Sequence, residues 1–254
     1  MENRIHCVNV GVIETNCWLY PLDDNTAETS TELREERHSS SVKRPCIVID
    51  PGDEAPLIIS CLKENNWIPR YIFLTHGHFD HLAALPDLVE AFEKAAFGSE
   101  EPVYEPSEPA CGKRPSLKVG IHRMDANYLG KDALQIHRKS ITAAGGSAAF
   151  VDSLWKPLPE ADILFEEGDY AGPFRIIHVP GHTQGSVGFY DEKAGVLFSG
   201  DTLFKGNRGR TDLPGGNEAL IQQSLKRLLS MKGETTVCPG HGPVTTIGDE
   251  ANKF

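Results

Sequence analysis

Four side chains that can bind metal ions lie close together in the segment 75–81. In an extended chain, His76 and His78 are two positions apart and can project to the same side. Asp80 and His81 follow at the predicted turn into a helix, so they can point elsewhere, toward a second ion. Imidazole and carboxylate ligands in this mixture suit zinc, and also iron or manganese. The segment therefore predicts a metal site; the alternative interpretation is a solvated, histidine-rich turn.

Three more candidate ligands occur later in the chain in similar surroundings. His182 lies in Pro-Gly-His-Thr, Asp201 in Gly-Asp-Thr and His241 in Pro-Gly-His-Gly, and each follows a predicted strand. The flanking glycines let the backbone turn sharply and approach a ligand closely. A single histidine beside glycine is more often a turn residue, but these three add to the first segment. Together the seven side chains can hold two metal ions that share one bridging carboxylate.

The secondary-structure elements that must position these residues form two consecutive groups along the chain. Each group begins with strands and ends in a helix. Short apolar runs predict the strands, and apolar residues at helical spacing predict the helices. The predicted strands are 5–12, 16–20, 46–50, 71–74, 163–165, 174–179, 186–190, 195–199 and 235–238, and the predicted helices are 55–64, 82–96, 124–142 and 217–230. Polar segments near 23–44 and 98–116 are predicted to be insertions. This order favours an α/β fold (α+β in some schemes) with sheets between layers of helices.

The composition narrows the classes of function. The chain has 254 residues, with 25 Lys and Arg against 36 Asp and Glu, and a formal net charge of -11. Because binding phosphates needs a positive face, we expect no nucleic-acid partner. No apolar run approaches the length that spans a bilayer, and the start lacks the layout of a signal peptide, so we expect no membrane association and a cytoplasmic location. The six cysteines are scattered and are predicted to be free thiols that pack as small hydrophobic residues.

The combined pattern T-H-x-H-x-D-H, P-G-H-T, G-D and P-G-H-G resembles the metallo-β-lactamase superfamily. Within that superfamily it is most similar to the glyoxalase II-like thioesterases (hydroxyacylglutathione hydrolases) of the short, single-domain kind. Supporting stretches lie at 15–19, 49–52, 204–212 and 245–248, so the resemblance covers nearly the whole chain apart from the two insertions. It implies an αββα sandwich with the metals at the edge between the sheets, formed by one domain over residues 1–254.

The resemblance also implies a role for each candidate ligand. In this arrangement the first metal ion is held by His76, His78 and His182, the second by Asp80, His81 and His241, and Asp201 bridges both. The predicted cofactor is two divalent metal ions, with zinc as the first choice. These ions acidify a shared water, so the predicted catalytic groups are Asp80 and this metal-bridging water. The resulting hydroxide attacks the carbonyl carbon of a thioester such as S-lactoylglutathione, and the metals stabilise the tetrahedral oxyanion and the departing thiolate.

Three basic residues after Asp201 are candidates for binding the substrate. Lys205, Arg208 and Arg210 can bind a carboxylate on a small-molecule thioester, and the alternative is a solvated loop. Two-domain glyoxalase II enzymes carry a C-terminal helical domain that helps to bind glutathione, whereas only 13 residues follow His241 here. The thiol carrier therefore stays open. The segment 106–146 is longer than the core fold requires, and it is interpreted either as a lid or as surface packing.

Other functions fit the same motifs. A mononuclear iron persulfide dioxygenase of this superfamily resembles the chain in the metal motif and in 209–212, and it uses His76, His182 and Asp201 on one iron. The Leu-Pro-Gly-Gly that follows is more similar to the single-domain hydrolases. A lactone or β-lactam hydrolase is a further alternative, and a metal-binding protein without catalysis is the non-enzymatic one. The sequence leaves open the metal, the acyl group and the oligomeric state.

Overall fold

Two six-stranded sheets lie at the centre of the structure, a computed structural model that describes residues 5–22, 43–97 and 117–253. The strands are β1 (His6–Val10), β2 (Thr15–Pro21), β3 (Arg44–Ile49), β4 (Trp67–Phe73), β5 (Lys118–His122), β6 (Ile163–Phe165), β7 (Tyr170–Ala171), β8 (Phe174–His178), β9 (Val187–Asp191), β10 (Val196–Gly200), β11 (Leu203–Phe204), β12 (Asn207–Arg208), β13 (Thr236–Pro239) and β14 (Thr245–Thr246). The first sheet has the order β1-β2-β3-β4-β5-β6 and the second the order β14-β13-β10-β9-β8-β7, while β11 and β12 form a separate hairpin. Strands β3 to β6 pair in parallel, and so do β10 and β13.

Helices cover the outer face of each sheet. The α-helices are α1 (Ala55–Glu64), α2 (Leu85–Phe97), α3 (Leu134–Ala143), α4 (Ala148–Leu154), α5 (Glu218–Leu229) and α6 (Ile247–Ala251), and two 3-10 helices span Phe79–His81 and Arg123–Tyr128. Helices α1 to α4 pack on the first sheet, and α5 and α6 pack on the second. The architecture is therefore the αββα sandwich that the family resemblance implies.

Three apolar cores fill the spaces between these layers. A single strand can contribute side chains to two of these cores, because successive side chains point to opposite faces of a sheet. In β3, Cys46 and Val48 pack under the helices, whereas Ile47 and Ile49 pack between the two sheets. The core between the sheets is rich in phenylalanine, with Phe73, Phe165, Phe174, Phe189 and Phe198 all buried. This shared core holds the two sheets face to face.

One edge of the sandwich collects the ends of several strands. Strands β3 and β4 are parallel neighbours, so Asp50 and Thr75 follow them at the same edge. On the second sheet, β10 ends at Gly200 and β13 at Pro239, and the amide of Gly240 donates to the carbonyl of Gly200 (2.9 Å). Polar groups at the carboxyl ends of strands are a usual location for ligand sites in α/β folds.

The segment 124–142 differs from the single helix that the sequence predicts. A 3-10 helix ends at Tyr128 and α3 begins only at Leu134, because Gly130 takes a left-handed conformation (φ 83°) between them. Likewise, α2 begins at Leu85 rather than at Leu82, after the 3-10 helix over 79–81. In the described part of the segment 106–146, strand β5 pairs with both β4 and β6 inside the first sheet. This strand is neither a lid nor surface packing.

The remaining predictions on organisation have mixed outcomes. The predicted insertions at 23–44 and 98–116 lie outside the described residues, except for 43–44, where β3 begins. Among the described cysteines all are free; Cys17, Cys46 and Cys238 are buried as predicted, whereas Cys7 is exposed. None of the helices described in this structure has both the length and the apolar character needed to cross a bilayer.

Candidate metal centre

Three buried histidines from two loops form the first ligand group, defined as His76, His78 and His182. His76 and His78 follow β4, and His182 follows β8. Each offers a ring nitrogen, and these three atoms lie within 4.8 Å of one another. The Nδ1 atom of His78 is 2.8 Å from the Nε2 atom of His182. The geometry therefore brings these three candidates from the sequence to one point.

The second ligand group consists of Asp80, His81 and His241, and it lies beside the first. The Nε2 atoms of His81 and His241 are 3.2 Å apart, and each is 3.3 Å from the Oδ2 atom of Asp80. His81 is completely buried, whereas the side chains of Asp80 and His241 are 25% and 24% exposed. Because the first ligand group is buried, the centre opens to solvent on the side of Asp80 and His241.

Asp201 lies between the two ligand groups. Its Oδ1 atom is 3.4 Å from the Nε2 atom of His81, and its Oδ2 atom is 3.6 Å from the Nε2 atoms of both His182 and His241. The side chain follows directly after β10, whose last residue, Gly200, has a positive φ of 49°. One carboxylate thus reaches both groups, which is the placement that a bridging ligand requires.

The outward-facing nitrogen of four of these histidines is held by a hydrogen-bonding partner. The pairs are His76 with the Thr75 hydroxyl (3.0 Å), His81 with an Asp50 carboxylate oxygen (3.0 Å), His182 with the Arg210 carbonyl (2.7 Å) and His241 with the Ile13 carbonyl (3.1 Å). In each case Nδ1 makes this contact, which leaves Nε2 directed into the centre. Such outer contacts fix the orientation and tautomer of metal-binding histidines.

Asp50 connects two of these histidines through one buried carboxylate. Its oxygens accept hydrogen bonds from the Thr75 amide (2.7 Å) and the Thr75 hydroxyl (2.6 Å) in addition to the ring of His81. Since the Thr75 hydroxyl donates to Asp50, it accepts from the Nδ1 of His76. No motif in the sequence indicates this role for Asp50, although the residue stands in one of the stretches that carry the family resemblance.

The electrostatics of the two ligand groups differ. Burial, together with neighbouring histidines, holds the pKa of His76 and of His78 well below the usual value, so both rings are neutral. Burial alone would also lower the pKa of His81, but the carboxylates of Asp201 and Asp80 outweigh it and raise that pKa. The same balance raises the pKa of His241. A cation that binds the second ligand group must therefore displace a proton.

Several buried polar atoms of the centre have no hydrogen-bonding partner among the described residues. They are the Nε2 atoms of His76 and His78 and the Oδ1 atom of Asp201. Buried polar atoms are nearly always satisfied in folded proteins, because an unpaired one costs about 1–3 kcal/mol. Cations held by the two ligand groups would supply partners for the His76 nitrogen in the first group and for the Asp201 oxygen that faces His81 in the second. The donor set, five imidazoles and two carboxylates, fits zinc, iron or manganese.

A further buried carboxylate, Asp125, lies beside the centre and stands in no motif that the sequence makes visible. It lies in the 3-10 helix after β5 and contacts the loops of the first ligand group at Gly77, Thr183 and Gly185. The sequence placed it in a helix with ordinary helical spacing. Its partners are 48 to 60 positions away along the chain, so no local pattern identifies it.

The three predicted substrate-binding residues lie in and after the β11–β12 hairpin. Lys205 is exposed, Arg208 contacts Glu218 (2.7 Å), and both guanidinium contacts of Arg210 with Asp212 measure 2.7 Å. This loop is attached to the centre through the Arg210 carbonyl, which accepts from His182. It is therefore next to the first ligand group, and its two arginines are paired with exposed carboxylates.

The fold and the centre agree with a comparison against protein families. Residues 42–241 match the model described as metallo-beta-lactamase superfamily. This match spans well over half of the chain, and the chain belongs to the metallo-beta-lactamase superfamily.

Individual relatives are similar over most of their length. The chain is 34% identical over 213 residues to the hydroxyacylglutathione hydrolase GloC of Haemophilus influenzae. The alignment covers 82% of this chain and 85% of that protein. It is 33% identical, with the same coverage of both chains, to the probable metallo-hydrolase YqgX of Bacillus subtilis. The crystal structure of TTHA1623 in a di-iron-bound form is 32% identical, covers 98% of both chains and has a TM-score of 0.70. Both relatives carry names of hydrolases, in agreement with the sequence-based prediction of a hydrolytic enzyme.

Proposed function

We propose that this protein is a dinuclear metallo-hydrolase that cleaves hydroxyacyl thioesters, with S-lactoylglutathione as the reference substrate. The observation that carries the proposal is the position of Asp201, whose two oxygens face His81 on one side and His182 on the other. One metal ion would be held by the first ligand group and the other by the second, with Asp201 shared. When bound, such ions make water nucleophilic at neutral pH and polarise a carbonyl oxygen.

The chain's own residues provide the surroundings for this chemistry. Asp50, Thr75 and the backbone carbonyls hold the imidazoles in place, so the centre is preorganised. Substrate approaches from the side of Asp80 and His241, where the centre is open to solvent. On the side of His182, Arg208 and Arg210 are candidates for binding an anionic thiol carrier, with Lys205 in the same hairpin.

The thioester is the finer part of the proposal, and two observations support it. The relative named hydroxyacylglutathione hydrolase is 34% identical over 82% of this chain. The basic residues near His182 suit a carrier with carboxylates, as glutathione has. Zinc is the metal proposed first; the di-iron form of TTHA1623 supports iron as an alternative.

The relative named hydroxyacylglutathione hydrolase, 34% identical to this chain, favours this reaction over a mononuclear iron dioxygenase. Such an enzyme uses His76, His182 and Asp201 on one iron and shares the metal motif, so the number of bound metal ions distinguishes the two reactions. A lactone or β-lactam hydrolase shares the dinuclear centre and differs in the substrate. A small-molecule substrate, a cytoplasmic location and the absence of nucleic-acid and membrane partners stay predictions.

The proposal is tested by counting metals in protein purified without oxygen while assaying S-lactoylglutathione hydrolysis. We expect about two metal ions per chain and turnover, and we expect Asp80→Ala to lose one ion and more than about a hundredfold in kcat/KM, because even changes outside the ligand shell cost 10–100-fold. Asp87→Ala, which removes an exposed partner of Lys156, is the matched control and should change neither quantity. About one iron, with oxygen consumed on glutathione persulfide and no thioester cleavage, would overturn the proposal.

A further inference from the structure

Asp125 joins the two loops that supply the first ligand group. Its Oδ2 atom accepts hydrogen bonds from the Gly77 amide (3.0 Å) and the Thr183 hydroxyl (2.6 Å), and its Oδ1 atom accepts from the Gly185 amide (2.7 Å). Gly77 stands between His76 and His78, and Thr183 directly follows His182. One carboxylate thus contacts the immediate neighbours of all three histidines, yet it touches none of the candidate ligand atoms.

The two amides can reach Asp125 only because both belong to glycines. A Cβ atom at Gly185 would lie 2.6 Å from the Cγ of Asp125, and one at Gly77 would lie 2.3 Å from the ring of Tyr128. Tyr128 is on the same 3-10 helix as Asp125. The close approach of this helix to both loops therefore depends on the backbone at two positions, Gly77 and Gly185. Asp125 is almost fully buried there, at 1% exposure.

We infer that Asp125 is a positioning residue: it fixes the loop of His76 and His78 relative to the loop of His182, and thereby sets the affinity of the first metal position. This inference rests on the ligand roles of the proposed function. An ionised carboxylate only accepts hydrogen bonds, so it satisfies all three donors at once. An asparagine has the same shape, but its amide group faces at least one of these donors with hydrogens and breaks that contact.

The loops have a second connection, which makes the substitution testable in folded protein. The Val187 amide donates to the Thr75 carbonyl (2.8 Å), so the sheets stay joined when Asp125 is changed. The ligand nitrogens of His78 and His182 are only 2.8 Å apart, and their separation depends on how the loops are held. We therefore expect looser placement of these histidines in Asp125→Asn without loss of the fold.

The experiment separates the two metal positions by using two backgrounds. His241→Ala leaves the first ligand group intact, and His182→Ala leaves the second intact. In each background, the zinc affinity of the metal-free protein is measured by competition with a chromogenic chelator, with and without Asp125→Asn. We expect Asp125→Asn to weaken zinc binding about tenfold or more in His241→Ala and by less than about twofold in His182→Ala.

Two further variants control for general destabilisation. Asp162→Asn changes a carboxylate that accepts from the Val119 amide (2.9 Å) near the other end of β5, and it should leave both affinities unchanged. Thr183→Val removes one donor to Asp125, and it should weaken the first position in the same direction but less. Circular dichroism of the metal-free protein shows whether Asp125→Asn folds. If it does not, the same affinity measurements are made with Thr183→Val instead.

Equal losses in both backgrounds, or no loss in His241→Ala, would overturn the inference while leaving the proposed function in place. Failure of the proposed function gives a different result. Wild-type protein that binds no zinc at either position would contradict both the proposed function and the inference.

Discussion

Arg210 is the substrate-binding candidate that can be tested most directly. Its guanidinium is paired with Asp212 at the surface, and its carbonyl accepts from His182, so the side chain and the backbone have separate tasks. If the guanidinium binds a carboxylate of the thiol carrier, its loss removes a charge-assisted contact worth about tenfold in binding. We therefore expect Arg210→Ala to raise KM for S-lactoylglutathione about tenfold, with kcat and metal content nearly unchanged.

Asp212→Asn is the matched control for this prediction. It leaves the Arg210 guanidinium without its carboxylate partner, so the guanidinium is freer to bind the substrate and KM should stay the same or fall. Steady-state kinetics on both variants, with elemental analysis of each, give the answer. The same KM in Arg210→Ala as in wild type would remove this residue from the binding site.

The sequence identifies the residues of the centre but not the contacts that support them. The seven candidate ligands stand in short, glycine-flanked motifs, and the structure brings all of them together. Asp125 has no such motif, because its role arises from partners that only the fold brings near. Asp50 is predictable only in part. The segment 49–52 that contains it supports the family resemblance, but its contact with His81 depends on the parallel pairing of β3 and β4.

The turn after β13 shows how closely the second sheet approaches the centre. A Cβ atom at Gly240 would lie 2.2 Å from the Oδ1 of Asp201 and 2.7 Å from the Cε1 of His81. We expect Gly240→Ala to displace these two side chains and to leave about one metal ion per chain or fewer, while destabilising the fold by only about 1–3 kcal/mol. Elemental analysis and thermal unfolding of the purified variant measure both effects.

Gly233→Ala is the corresponding control, because a Cβ atom there meets nothing closer than 3.6 Å. It should keep the metal content and activity of wild type. Full metal content in Gly240→Ala would show that the turn can shift without disturbing Asp201, contrary to the steric argument.

The elements themselves follow from the sequence to different degrees. Helix α5 begins after Asn217, whose side chain accepts from the Leu220 amide, and this capping signal is visible in the sequence. The segment 124–142 reads as one helix because its apolar spacing is helical throughout. In the structure it is divided at Gly130, and the 3-10 helix before this point places Asp125 between the two loops. The spacing of apolar residues within 124–142 cannot predict the contacts of Asp125 with the two loops, because these loops are distant in the sequence.

The apolar cores, rather than the metal centre, account for the stability of the fold. The three apolar cores lie between the layers, and they include large side chains with no exposure, such as Phe174, Phe198 and Leu62. The centre occupies only one edge of the sandwich, where Asp50 and backbone contacts already hold the histidines. Burial of this extent supplies the stability of an ordinary domain without staples.

We therefore expect the metal-free protein to remain folded and to unfold cooperatively. A metal present at a hundred times its Kd stabilises the folded state by about 2.7 kcal/mol, which for a chain of this size raises the Tm by about 5–10 °C. Thermal unfolding followed by circular dichroism, after removal of metals with a chelator and again after adding zinc, measures the difference. A metal-free protein without a cooperative transition would show that the two ligand groups, rather than the three cores, keep the sheets together.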